Sequence, residues 1–343
     1  MNSTRHRLAS DNYSGVHPTI MQAIVNANIG HNPAYGDDDY SHKLTCLIHQ
    51  HFGKQATGFV VFNGTGANVL GLSALLPRFG AVIAVKSAHI NNDESIAPEA
   101  VAGIKILTVD SDNGKLCPTK IKALIDKSPH KPQACAVYIS QTTELGTCYS
   151  LDELATLRGV CDQYGLSLYI DGARLCNAVA YLGCSLQQIA QYADILSLGG
   201  TKNGLMLGEC LIVMNPKYAP SMAYLRKSYM QLASKMRFIC AQFVAWLDND
   251  LYLELARQSN AMATYLQEQL QALPNITITQ KSESNAVFAI LPKAVSQTLC
   301  PQFGFYIWND VSGEVRLMTS FDTTKEQIDD FVLALKTAVQ DSQ

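Results

Sequence analysis

The chain has 343 residues, a net charge of −3, 48% hydrophobic residues and 16% charged residues. That length supports one large α/β domain with a smaller one appended, and the composition excludes a disordered chain. The balanced charge, with only short basic clusters such as Arg226-Lys227, excludes an electrostatic nucleic-acid binder, and no stretch approaches the roughly 18 unbroken apolar residues of a membrane span.

Residues 1–10 are polar and basic with no apolar segment behind them, so no secretory leader is expected. The ten cysteines form no Cys-x-x-Cys pair and most sit in apolar runs such as Ala134-Cys135-Ala136-Val137. Buried reduced thiols in a cytoplasmic protein are expected, with neither a disulfide framework nor a metal site. His49 and His51 stand two apart on an expected helix, so they do not share a face and make a poor metal pair.

Further along, 59–62 is a buried-strand run that breaks into Asn63-Gly64-Thr65-Gly66, and a small-residue helix follows over 67–76. Apolar strand-length runs then recur at 81–85, 104–109, 135–140, 166–170, 194–198 and 208–214. They alternate with helical patterns at 119–127 and 151–164. Strands apolar on both faces, spaced by helices, predict a mainly parallel sheet with crossover helices. After Pro216 the pattern changes to long helices over 217–273. Three strand candidates follow, at 276–279, 286–291 and 314–318, and an amphipathic helix over 325–339 begins behind the capping residues Asp322, Thr323 and Thr324. A boundary is expected near 245, inside the helical region.

Chemistry concentrates in two places. Tyr169-Ile170-Asp171-Gly172-Ala173-Arg174 ends one strand, and Leu198-Gly199-Gly200-Thr201-Lys202-Asn203-Gly204 follows the next. Ligands gather at the carboxyl ends of strands in open α/β sheets, so Asp171 and Lys202 are expected in one cleft. Singly, they read as a solvated strand-end carboxylate and a loop lysine. Together they suit pyridoxal 5′-phosphate (PLP): the amine condenses with the aldehyde as a Schiff base, and the carboxylate pairs with the protonated ring nitrogen. The turn Asn63-Gly64-Thr65-Gly66 offers backbone N–H groups at a helix start, which suit a phosphate. It is neither a Walker loop nor a complete dinucleotide fingerprint.

These motifs resemble the threonine aldolases of the β-eliminating lyase family of fold-type I PLP enzymes. The resemblance covers most of the chain: Ser10-Asp11-Asn12-Tyr13 with Val16-His17-Pro18, then Tyr35-Gly36-Asp37-Asp38, Phe62 through Asn68, Ala88-His89-Ile90, Lys235-Met236-Arg237 and Glu314-Val315-Arg316-Leu317. It implies an N-terminal arm (1–20), a large PLP-binding domain (21–245) with a mainly parallel seven-stranded sheet, and a small α+β C-terminal domain (246–343). It also implies catalytic roles for Lys202, His89, Asp171 and Glu144. Gly64, Thr65, Gly66, His89, Asp171, Arg174 and Arg237 would hold the cofactor, with His89 over the ring and Arg237 on the phosphate. Ser10, Tyr35, Arg174 and Arg316 would hold an amino-acid substrate, the arginines gripping its carboxylate. A homotetramer, or a homodimer, with active sites at the subunit interface is implied.

The expected reaction is cleavage of the Cα–Cβ bond of a β-hydroxy-α-amino acid to glycine and an aldehyde, with Glu144, or His89 through water, as base. Glu144 stands where the family commonly carries a histidine. That leaves threonine, a bulkier substrate such as phenylserine, and β-elimination of another leaving group all open. The remote alternative is a phosphate- or nucleotide-binding α/β protein with no covalent cofactor.

Overall fold

A computed structural model describes residues 7–125 and 128–341. Seven strands form the large sheet: β1 (Thr57–Val61), β2 (Gly80–Val85), β3 (Lys105–Val109), β4 (Gln133–Ser140), β5 (Ser167–Asp171), β6 (Ile195–Gly199) and β7 (Glu209–Val213), in the order β1-β7-β6-β5-β4-β2-β3. Only β7 runs against its neighbours, β1 and β6; the other pairings are parallel. Every residue of β2, β5, β6 and β7 is buried, as continuous apolar strands covered by helices require. A fold-type I α/β architecture with a second, smaller sheet is therefore what the chain adopts.

Local chemistry explains the crossovers. The helix Leu151–Tyr164 starts where Ser150 Oγ accepts from the Glu153 N–H and Glu153 accepts from the Ser150 N–H, a reciprocal cap. It stops at Gly165, whose φ of 68° suits a residue without a Cβ. The predicted helix over 119–127 is shorter, Pro118–Ala123; residues 126 and 127, like 1–6 of the expected arm, lie outside the described residues.

The expected long helices over 217–273 are three, Ala219–Ser228, Arg237–Leu247 and Leu251–Gln271. Breaks fall at Met230, Asn249 and Asp250, all with positive φ, a backbone feature that composition did not signal. The second sheet has four strands, not three. Besides β8 (Thr277–Gln280), β9 (Ala286–Ile290) and β11 (Glu314–Met318), it gains an edge strand, β10 (Tyr306–Asn309), giving the order β10-β11-β9-β8. All four β10 residues are exposed and its register slips beside Trp308, so no alternation marked it.

Among the described residues two large hydrophobic cores result, with a small third cluster of Ala286, Phe288 and Met318. One lies around the large sheet; the other joins the small sheet to the C-terminal helix Lys325–Asp341 and to Leu8. The helix Leu251–Gln271 serves both, Leu255 and Ala256 packing in the first and Met262 through Leu270 in the second. All ten cysteines are free, five of them buried, but Cys46 and Cys117 are exposed, which corrects the expectation of uniformly buried thiols. Among the described residues no helix is long and apolar enough to cross a membrane.

β5 and β6 end in close backbone contact. Gly172 N–H donates to Ser197 Oγ (3.0 Å) and Gly199 N–H to Gly172 O (3.0 Å). A Cβ on Gly172 would collide with the Ser197 carbonyl oxygen and meet Leu175 Cβ at 3.0 Å. Overpacking a rigid core costs about 1–3 kcal/mol. Gly172→Ala is therefore expected to destabilise the fold by about that much, seen as a lower urea midpoint with an unchanged slope; a wild-type midpoint would show that this contact tolerates a methyl group.

Candidate active site

The carboxyl ends of β4, β5 and β6 open onto a cavity lined by Gly64, Asn68, His89, Glu94, Ser140, Thr142, Glu144, Asp171, Ala173, Arg174 and Lys202. Asp171 is the last residue of β5, and Lys202 sits in the tight turn Thr201–Asn203 after β6. The predicted convergence of these two residues is thus realised by parallel strand order.

Asp171 lies on the buried floor. Its Oδ2 accepts from the Tyr138 hydroxyl (2.6 Å) and Asn68 Nδ2 (2.9 Å), and its Oδ1 from the Ala173 N–H (2.9 Å). Burial alone would raise its pKa, but the Tyr138 and Asn68 hydrogen bonds, with the charge of His89, hold it below the usual carboxylate range. Tyr138 is itself pushed up, chiefly by burial, so it stays a phenol and a donor. The floor therefore presents an ionised carboxylate.

Lys202 makes no hydrogen bond or ion pair among the described residues. Burial first, and then the nearby Arg174 guanidinium, lower its pKa, which favours the free amine. Arg174 Nε and Nη2 form a two-pronged pair with Asp11 Oδ2 (2.7 Å) and Oδ1 (2.9 Å). Asn285 also donates to Asp11 (3.0 Å).

Above the floor, His89 Nδ1 lies 2.9 Å from Glu94 Oε1, which also accepts from Asn68 Nδ2 (2.7 Å). One hydrogen-bonded chain thus links His89, Glu94, Asn68 and Asp171. The Glu94 bond is the main reason that the His89 pKa is raised. Glu144 Oε1 accepts from the His89 N–H (2.9 Å) and from Ser140 Oγ (2.6 Å). Burial raises the Glu144 pKa more than these bonds lower it. Asn68 Oδ1, Glu94 Oε2 and Glu144 Oε2 are buried without partners. Three such orphans around one cavity are costly unless a ligand satisfies them.

At the glycine turn, the helix Gly64–Leu75 starts on Asn63, whose side chain takes the Gly66 N–H (2.7 Å). Gly64 lines the cavity and has open space where a Cβ would stand. Thr65 and Gly66 continue the first turn, with the Gln231 side chain against Gly66.

Not every expected residue arrives. Tyr35 is half-exposed, with Lys227 Nζ 5.0 Å from its ring centre, and Arg237 Nη1 donates to Gly30 O (3.2 Å) in a separate surface pocket. The chain's own fold does not carry either to Lys202. Ser10 Oγ caps its own turn by accepting the Asn12 N–H (3.2 Å). Arg316 does not line the cavity; its guanidinium is 5.1 Å from the ring centres of both Tyr306 and Trp308, and burial, then the charge of the lining residue Arg174, lower its pKa to about 10.

Asn68 belongs to the floor, not to the phosphate turn in which its motif placed it. Sequence reasoning missed Asp11, Glu94 and Tyr138 as site residues. Tyr138 was read as strand core. Glu94 had a usable signal, its spacing five residues beyond His89, and Asp11 lay inside a noted motif without a role.

The chain matches the β-eliminating lyase family over residues 7–294. It is 38% identical over 334 residues, 96% of each chain, to a low specificity L-threonine aldolase of Pseudomonas aeruginosa. It is 26% identical over 294 residues to the Saccharomyces cerevisiae protein of the same name, covering 84% of this chain and 74% of that one. The solved threonine aldolase of Leishmania major superposes with a TM-score of 0.92 at 32% identity, covering 97% of this chain and 99% of that one.

The raised His89 pKa has a definite sign. Its contribution to stability is fully present below the ordinary value of 6.5 and is lost as pH rises through the elevated folded value. Glu94→Gln is expected to lower the His89 pKa in a proton NMR titration of the ring; an unchanged titration would show that Glu94 does not hold the imidazolium.

Proposed function

The chain belongs to the β-eliminating lyase family, and on that footing we propose that it is a PLP-dependent aldehyde-lyase. It cleaves the Cα–Cβ bond of threonine and related β-hydroxy-α-amino acids, giving glycine and an aldehyde. The observation that carries this reading is the pair of Lys202 and Asp171 in one cavity, the lysine unpartnered and the carboxylate held ionised. The family match and the named relatives point the same way.

The residues fit the cofactor. Lys202 would hold it covalently, Asp171 would face its protonated ring nitrogen, His89 would cover the ring, and the first-turn amides of Gly64 and Thr65 would meet its phosphate, Gly66 shaping the turn with its own N–H on Asn63. When bound, the cofactor supplies an electron sink for the negative charge left at Cα. Arg316, with the remaining Nη1 of Arg174, receives the substrate carboxylate and so fixes which Cα bond is aligned for breaking. Glu144 takes the β-hydroxyl proton; burial raises its basicity, and the His89 amide and Ser140 hydroxyl aim its carboxyl. As the C–C bond breaks, the former hydroxyl oxygen becomes the aldehyde oxygen. A returned proton at Cα completes glycine.

Active sites shared between subunits of a homotetramer, or a homodimer, complete the reading. Two observations support it: Tyr35 and Arg237 lie away from Lys202 in their own chain, and Val25, Ile29, Tyr224 and Met230 are exposed apolar side chains. The division into 1–20, 21–245 and 246–343 belongs to the same reading; the two large cores favour two domains, with the first core extending past 245 to Ala256 on the shared helix Leu251–Gln271. A cytoplasmic location fits the ten free thiols.

Purified wild type incubated with PLP is expected to be yellow and, after borohydride, to carry the cofactor permanently on Lys202 by mass spectrometry. Lys202→Ala is expected to show neither, and a wild type that stays colourless would defeat the cofactor assignment. Glu144→Gln should lower kcat for threonine by about 10²–10⁴-fold. Near-wild-type turnover would remove Glu144 as the base, and a keto acid in place of glycine would move the reaction to β-elimination.

A further inference from the structure

The two faces of the small sheet carry different loads. Val287, Ala289, Val315 and Leu317 belong to the second core. Alternation along a strand sends the residues between them to the other face, where Ala286, Phe288 and Met318 pack with Leu145. Leu145 follows the lining residue Glu144, so this face is turned toward the cavity.

Arg316 stands in the middle of that face. Its cross-strand partners are Phe288 on β9 and Tyr306 on the edge strand β10. The guanidinium carbon lies 5.1 Å from the ring centre of Tyr306 and 5.1 Å from that of Trp308, within the range in which a ring attracts a cation. Trp308 in turn meets the buried Phe288 edge-on, with ring centres 5.4 Å apart and planes at 84°.

What Arg316 lacks is an acid. Its Nη2 makes a long hydrogen bond to the Ala9 carbonyl (3.4 Å), and its Nε is buried without a partner. Asp11, whose charge reaches it, is taken by Arg174 and Asn285. Asp93, whose charge also reaches it, forms no ion pair with it among the described residues. Leaving guanidinium donors dry is costly, and a carboxylate is the usual remedy. Rings instead hold a guanidinium through its charge and flat face, using none of its N–H groups. The fork is steadied while its donors stay free, whereas two donors of Arg174 are already occupied.

We propose that Tyr306 and Trp308 are positioning residues for substrate binding: the edge strand β10 holds the Arg316 fork by two ring contacts in place of an acid, so that the carboxylate of an amino acid is the first anion to pair with it. This gives a task to a strand that is exposed along its length and slipped in register.

The proposal rests on Arg316 receiving the substrate carboxylate, as read above, and its test separates the two. The chain has two tryptophans, and Trp246 is buried in the first core, bonded to the Asn203 carbonyl. The full chain labelled with 5-fluorotryptophan therefore gives two fluorine resonances, assigned by Trp308→Phe. Without PLP, Arg316→Gln is expected to move the Trp308 resonance and leave that of Trp246. With PLP bound, glycine is expected to move it too, whereas methylamine, an amine without the carboxylate, is not. Tyr306→Leu, which keeps Trp308 as reporter, should weaken glycine binding about 3–30-fold, and Tyr306→Phe should recover most of it. Tyr306→Leu and Trp308→Leu should raise KM for threonine by a like factor with kcat within about twofold. An unmoved Trp308 resonance in Arg316→Gln, or a methylamine effect equal to that of glycine, overturns the proposal. So does an unchanged glycine affinity and KM in the leucine variants, or a fall in kcat alone, which would leave the rings as edge-strand packing. A chain that binds PLP but leaves threonine intact defeats the aldolase reading alone, because the glycine titration still decides this one.

Discussion

A buried carboxylate must be hydrogen-bonded if it is to stay charged, and the site is organised around that requirement at Asp171. Its donors come from three parts of the fold: Tyr138 from β4, Asn68 from the helix after β1, and the Ala173 amide from its own loop. Removing an ion from water costs several kcal/mol even after relaxation, so these donors must already be in place. The parallel register that sets Tyr138 beside Tyr169 and Ser140 beside Asp171 is thus also a condition of the chemistry.

Environment divides the acids of the cavity by task. Asp171 and Asp11, both deeply buried, are held ionised because donors and cations surround them. Glu144 has fewer such partners, and burial raises it. One site can then keep a fixed negative charge on its floor and an acid of higher proton affinity beside it. Lys202 makes no hydrogen bond or ion pair among the described residues, and burial, then Arg174, favour its free amine.

The second sheet reaches the site through Asp11. Its carboxylate joins Arg174 at the end of β5 to Asn285, just before β9, and Leu8 anchors the preceding segment in the second core. Arg316 on β11 lies near enough to Arg174 for the two charges to interact, and Tyr306 and Trp308 of the edge strand flank it. The N-terminal segment is therefore a clasp between the two sheets at the substrate side, and it occupies two of the Arg174 donors that the sequence had assigned to a ligand.

Much of this was legible beforehand. Continuous apolar runs such as those of β2, β5 and β6 mark buried parallel strands, and a parallel sheet puts the residues after its strands on one edge, which was enough to bring Asp171 and Lys202 together. Residue type then set the chemistry: an amine, a carboxylate, glycines for close approach and arginines for a carboxylate. The partners of these groups were not legible. Tyr138 looked like core because only its hydroxyl is functional, and Asn68 looked like part of a turn because its helix had to be built before it faced the floor. Arg174 and Asp11 are 163 positions apart, and only folding decides that they meet. The sequence by itself determined the strand pattern and the reactive groups, because these are local. Tertiary structure alone decided which groups stay charged, because pKa depends on burial and on donors brought from distant parts of the chain.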